Sequence, residues 1–112
     1  MIAIIDYRAG NLTSVRLALE TLGVESRITV SVPEILSAER VIFPGVGAAG
    51  AAMRNLHGLR LEDIIRDVAR RGTPFLGICL GTQIIFSRSE EDGGVDGLGL
   101  LEGSVCLFRP ED

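Results

Sequence analysis

Lysine and tryptophan are absent from this sequence, tyrosine and histidine occur once each, and cysteine occurs twice. Each shortage excludes something. Without lysine, all eleven basic residues are arginine, and Arg70-Arg71 is the only adjacent pair. Nucleic acid as a main partner is therefore set aside, because binding it needs concentrated positive charge. One histidine and two distant cysteines give no metal-ligand spacing, so no metal site is expected. Cys79 and Cys106 do not form a disulfide framework, so reduced thiols and a cytoplasmic location are expected. No apolar run approaches membrane-spanning length. The N-terminal "MIAIIDYRAG" has no positive region before its apolar run and carries Asp6 directly after it, unlike a signal peptide. Internal repeats, low-complexity segments and linkers are also missing.

What is present is a globular composition. The 112 residues are 46% hydrophobic with a net charge of −4, enough for one domain with a core. Met1 to Ile5 is a continuous apolar run, as in a strand buried on both faces. In "NLTSVRLALETLG", Leu12, Val15, Leu19 and Leu22 recur at helical spacing, with Asn11 as N-cap and Gly23 as stop. A second strand is expected over Glu25 to Val30, then a short helical turn in "VPEIL". "RVIF" predicts a third strand, broken at Pro44-Gly45, and a helix then runs to His57-Gly58. Leu61, Ile64, Ile65, Val68 and Ala69 mark an amphipathic helix stopping at Gly72. "TPFLGIC" predicts a fourth strand and Thr82 to Phe86 a helix leaving it. The tail "LGLLEGSVCLF" predicts one or two strands with a turn at Glu102-Gly103.

Strands alternating with helices predict an α/β fold, a doubly wound and mostly parallel sheet with flanking helices. Ligands of such sheets bind at the carboxyl ends of the strands. Three strand-to-helix turns are candidates: "DYRAGN", "PGVGAAG" and "GICLG".

Gly77-x-Cys79-x-Gly81 has the form of a nucleophile elbow, where flanking residues must lack side chains. It places the sulfur at a helix N-terminus, which favours the reactive thiolate. The alternative is that Cys79 is a small buried hydrophobe. Cys106, with no glycines around it, receives that plainer reading. "PGVG" offers backbone N–H groups that suit an oxyanion. The same segment, Gly45-x-Gly47-x-x-Gly50, also matches a dinucleotide fingerprint. Acidic Glu62, Asp63 and Asp67 follow at about the right distance, but on an amphipathic helix and not at the end of the next strand. His57, at a predicted helix end, is expected to meet terminal carbonyls instead of serving Cys79. Glu90-Glu91-Asp92 is expected to be a solvated loop.

"GICLGTQIIFSRSEE", "PGVGAAGAAM", "IIDYRAGNLTSV" and "GLGLLEGSV" together resemble class I glutamine amidotransferases, in one order from Met1 to about Phe108. The resemblance implies that residues 1–112 are the N-terminal part of such a domain. It implies that Cys79 attacks the side-chain amide of glutamine to form a thioester and release ammonia. Val46, Gly47 and the Leu80 N–H would form the oxyanion hole, while Gly45 and Gln83 would bind substrate. Asp6, Tyr7, Gly10 and Asn11 would lie toward a (β/α)8-barrel synthase in a heterodimer. That partner uses the ammonia to make imidazole glycerol phosphate in histidine biosynthesis, and no cofactor is implied. Thr82 stands where the family has a larger residue, and Arg8 replaces a common glycine. The family's H-x-E pair has no counterpart before or after Phe108. The expectations are therefore a glutaminase subunit, or a catalytically inactive fragment lacking its base. The strand next to "PFLGIC" is expected to be left as an exposed, apolar edge.

Overall fold

The computed structural model describes residues 1–111. Its centre is a parallel sheet of four strands: β1 (Ile2–Ile5), β2 (Ser26–Thr29), β3 (Arg40–Gly45) and β4 (Phe75–Cys79). They lie in the order β2-β1-β3-β4. The connecting helices are α1 (Leu12–Thr21), α2 (Val32–Ser37), α3 (Ala49–Gly58) and α4 (Glu62–Arg70), and α5 (Leu80–Ile84) leaves β4 directly. This is the α/β architecture that the alternation of apolar runs predicts.

Residue parity in the strands sorts the two faces. Ala3 and Ile5 of β1 and Val41 and Phe43 of β3 point to one side, as alternating strand side chains must. They join Ile35 of α2, Leu56 of α3, Ile65 and Val68 of α4 and Ile84 of α5 in one buried cluster. The opposite face is covered more thinly. Its helix, α1, has no fully buried residue. Leu19 of α1 meets Ile2, Ile42 and Leu76 around an apolar depression of about 310 Å³. On β4 itself, Leu76 is 55% exposed and Ile78 38%. Among the described residues β4, the "PFLGIC" strand itself, is the sheet's edge, and not the strand next to it as expected.

Helix ends follow local chemistry. After α1, Gly23 takes φ 74, its N–H meets the Glu20 carbonyl, and Val24 N–H meets that of Leu19. That is the paired-bond stop expected of a glycine at this place. Asn11, by contrast, makes no side-chain cap bond. Instead the Ser14 hydroxyl donates to the Asn11 carbonyl at 2.9 Å. The helix predicted to end near His57-Gly58 ends at Gly58, with Leu59 as its cap. The left-handed residue is Arg60, at φ 56, and Leu61 N–H closes onto the Leu56 carbonyl.

Three other expectations are corrected. β3 continues through Pro44-Gly45. Proline is tolerated there because pairing with β1 has already ended at Ile42, leaving β4 as the remaining neighbour. The helix after Cys79 spans five residues, and Phe86 already opens a strand. Finally, no turn interrupts the tail at Glu102-Gly103: β7 (Leu101–Val105) passes through it. It belongs to a second sheet with β5 (Phe86–Ser89) and β6 (Val95–Asp96), ordered β6-β5-β7. The β5–β7 register shifts between Phe86 and Arg88. At the shift the Ser87 hydroxyl donates to the Gly103 carbonyl at 2.8 Å and accepts its N–H at 3.0 Å. One side chain thus replaces the missing ladder bonds.

The acidic run is also more than a solvated loop. It forms a 3₁₀ turn over Glu91–Gly93. The Glu90 carboxylate accepts from the Leu107 N–H and from Arg109 Nη2. Glu91 reaches the Ala49 N–H at 3.5 Å.

Candidate active site

β1, β3 and β4 are adjacent and parallel, so their carboxyl ends bring the three candidate turns together. Cys79 is the last residue of β4 and lies opposite Gly45, the last residue of β3. Its backbone has φ 55 and ψ −117, a conformation that costs a non-glycine residue about 1–3 kcal/mol. Such strain persists only where the surroundings impose it, and the surroundings here are specific. A Cβ on Gly81 would collide with the Phe43 carbonyl oxygen. A Cβ on Gly77 would stand 3.0 Å from the Thr82 backbone. Close approach thus excludes a side chain at Gly81 and crowds one at Gly77, in keeping with the elbow reading. The Cys79 thiol is free and exposed, and so is that of Cys106.

The neighbouring turns supply backbone. Leu80 is the first residue of α5, so its N–H has no acceptor within that helix. Gly47 takes φ 98 with open space where a side chain would be. Val46 is 58% exposed, but its N–H donates to the Ala9 carbonyl. That donor is engaged by the β1 turn, so it must leave Ala9 before it can serve an oxyanion. Gln83 is exposed on α5. It lines a groove of about 580 Å³ with Ser89, Glu90, Glu91 and Cys106.

The residues expected to face a partner separate into two kinds. Gly10 and Asn11 are exposed and Asp6 is half-buried, its carboxylate accepting the Arg8 N–H at 3.3 Å. Tyr7 is 1% exposed and stacks on Phe43 with ring centroids 4.6 Å apart. Its side chain belongs to the core beneath the turns and presents no surface to another protein. Burial, and then the neighbouring Cys79, raise its pKa well above the usual tyrosine value. The partner-facing place expected for Tyr7 came from the family resemblance alone. The available signal was parity: Ala3, Ile5 and Tyr7 share one face.

His57 pairs with Glu62 through Nδ1 at 2.9 Å, with its side chain 84% exposed. The helix-end carbonyls that were its expected partners bond instead to the N–H groups of Arg60 and Leu61. His57 lines a separate depression with Arg60, Glu62, Asp63 and Arg66, which Cys79 does not enter. Glu62, Asp63 and Asp67 all lie on α4. The strand after α4 ends on Cys79 instead of an acidic residue, which leaves the dinucleotide fingerprint without its ribose partner. No cluster of three metal-ligating side chains occurs among the described residues, and no helix there is long and apolar enough to cross a membrane.

Comparison with known proteins gives the same reading at family level. The chain is 48% identical over 111 residues to the imidazole glycerol phosphate synthase subunit HisH of Oceanobacillus iheyensis, covering 99% of this chain and 55% of that protein. It is 56% identical over 104 residues to HisH of Moorella thermoacetica, covering 93% and 50%. HisH of Bacillus subtilis is 46% identical over 112 residues, covering 100% and 53%. The chain thus spans about half the length of the curated relatives it matches. A solved structure described as a crystal structure of glutamine amidotransferase superposes with a TM-score of 0.78 at 21% identity. It covers 94% of this chain and 55% of that one. The profile for "Glutamine amidotransferase class-I" matches residues 3–95. With an elbow cysteine, a mostly parallel sheet and that match, the chain belongs to the class I glutamine amidotransferases.

Proposed function

We propose that Cys79 is the nucleophile of a glutaminase and that residues 1–112 are the N-terminal part of its domain. The sulfur attacks the side-chain amide carbon of glutamine, the C–N bond breaks, ammonia leaves, and a glutamyl thioester remains for water to resolve. The observation that carries this reading is the positive-φ backbone of Cys79 between Gly81, which has no room for a side chain, and Gly77, where one would crowd the Thr82 backbone. A core cysteine needs none of that geometry. Leu80 and Gly47 N–H groups serve the oxyanion, joined by Val46 once it releases Ala9. The Gly45 backbone and Gln83 hold the substrate. The proton acceptor comes from outside these 112 residues, since the sequence's single histidine is committed to Glu62.

The names of the relatives support the next step. Ammonia passes to a (β/α)8-barrel synthase that makes imidazole glycerol phosphate in histidine biosynthesis. Asp6, Gly10 and Asn11, beside the site, face that partner in a cytoplasmic heterodimer, and no cofactor takes part. The test is glutamine hydrolysis measured with the barrel partner, this chain against Cys79→Ser. Activity that Cys79→Ser abolishes supports the reading. Equal background in both would favour the second reading, a catalytically inactive piece, for which the distant His57 is the specific argument.

A further inference from the structure

We propose that the Tyr7 hydroxyl is a positioning group for Cys79, donating a hydrogen bond to its sulfur when the thiolate forms. This rests on the reading of Cys79 as nucleophile.

Three observations converge on it. Tyr7 Oη is buried and has no hydrogen-bond partner, the one such side-chain atom among the described residues. Leaving a buried hydroxyl unpaired is costly, and phenylalanine would keep the same stack on Phe43 without that cost. A tyrosine is thus explained by a partner that arrives during function. Second, the hydroxyl fills the space that Gly45 leaves empty, since a Cβ there would collide with it. Gly45 is the register partner of Cys79, and paired residues of adjacent strands face the same side. The phenol therefore ends beside the elbow, in a position fixed by the ring stack beneath it. Third, after burial itself, Cys79 is the neighbour that raises the pKa of the phenol, which sets the two groups close together.

The structure also shows why such a donor has work to do. α5 has five residues, so its terminal dipole is weaker than that of a long helix. A donated hydrogen bond to a charged sulfur is among the stronger kinds.

Tyr7 is the sole tyrosine and there is no tryptophan, so intrinsic emission reports this one side chain. In a Cys106→Ser background, alkylation of Cys79 with iodoacetamide should change tyrosine emission in step with loss of the thiol. Tyr7→Phe should slow that alkylation about tenfold at neutral pH without lowering the thermal midpoint. Equal rates in the two proteins would overturn the proposal, as would complete alkylation with unchanged emission. Should Tyr7→Phe fail to fold, the emission arm decides on native Tyr7. Loss of glutaminase activity is scored separately by Cys79→Ser, so failure of the nucleophile reading remains distinguishable from failure of the Tyr7 contact.

Discussion

Gly81 approaches the Phe43 carbonyl so closely that a methyl group on its Cα would collide with the oxygen. The first turn of α5 is thereby pressed onto β3, and the preceding residue, Cys79, takes up the bend. Gly81→Ala should cost about 3 kcal/mol or more, because backbone on both sides must move. Gly47→Ala meets nothing within 4 Å and bears only its φ of 98, so it should cost about 1–2 kcal/mol. Denaturant melts of the two variants test this ordering.

Cys79→Gly should stabilise the fold. The strained backbone costs cysteine about 1–3 kcal/mol, while glycine adopts it freely at an entropic cost of about 0.5–1 kcal/mol. A net gain of about 1 kcal/mol, or roughly 4 °C in thermal midpoint, is expected together with complete loss of thiol chemistry. A lower midpoint would show that the sulfur itself supports the core.

Alkaline stability should depend on Tyr7. Its pKa is raised in the fold above the ordinary 10.0, so above pH 10 the unfolded chain releases a proton that the folded chain keeps. Stability contributed by the neutral phenol is present below that pH and declines as pH rises further. No lysine titrates in the same range. Denaturation midpoints followed from pH 9 upward should fall more steeply for the native chain than for Tyr7→Phe.

The outer face of β4 should drive association. Leu76 is 55% and Ile78 38% exposed on an edge strand, the combination that invites strand pairing between molecules. Leu76→Lys should reduce concentration-dependent association in sedimentation while leaving the thermal midpoint within about 0.5 kcal/mol equivalent. Unchanged association would place the sticky surface elsewhere, for instance at Leu107 and Phe108, which are 71% and 83% exposed.

Much of the site was legible because its geometry is written in glycines. Gly77 and Gly81 around Cys79 announce a bend that only small neighbours permit, and Gly45-x-Gly47 announces a turn beside it. Alternating apolar runs gave the parallel sheet for the same reason: buried strands must be continuous and apolar. What stayed hidden depends on pairing between distant residues. Ser87 and Gly103 replace a turn with a bulged ladder, and nothing local to "LLEGSV" encodes that. α3 ends at Gly58, but the left-handed residue that follows is Arg60 and not the glycine, because the bonds to the His57 and Leu56 carbonyls select the position. Tyr7 was misplaced for a similar reason: its partner space is created by Gly45, 38 residues further along the sequence. The catalytic base was not legible, because the one histidine lies elsewhere.

The central claim is that Cys79, and not Cys106, is built to attack a glutamine side chain. Both thiols are free and exposed, so access alone does not separate them. The direct measurement is to react the chain, with the proposed barrel partner present, with a diazoketone analogue of glutamine, and to locate the adduct by peptide mass spectrometry. The account predicts the added mass on Cys79, none on Cys106, and no labelling of Cys79→Ser. Equal labelling of the two cysteines, or labelling confined to Cys106, would contradict it.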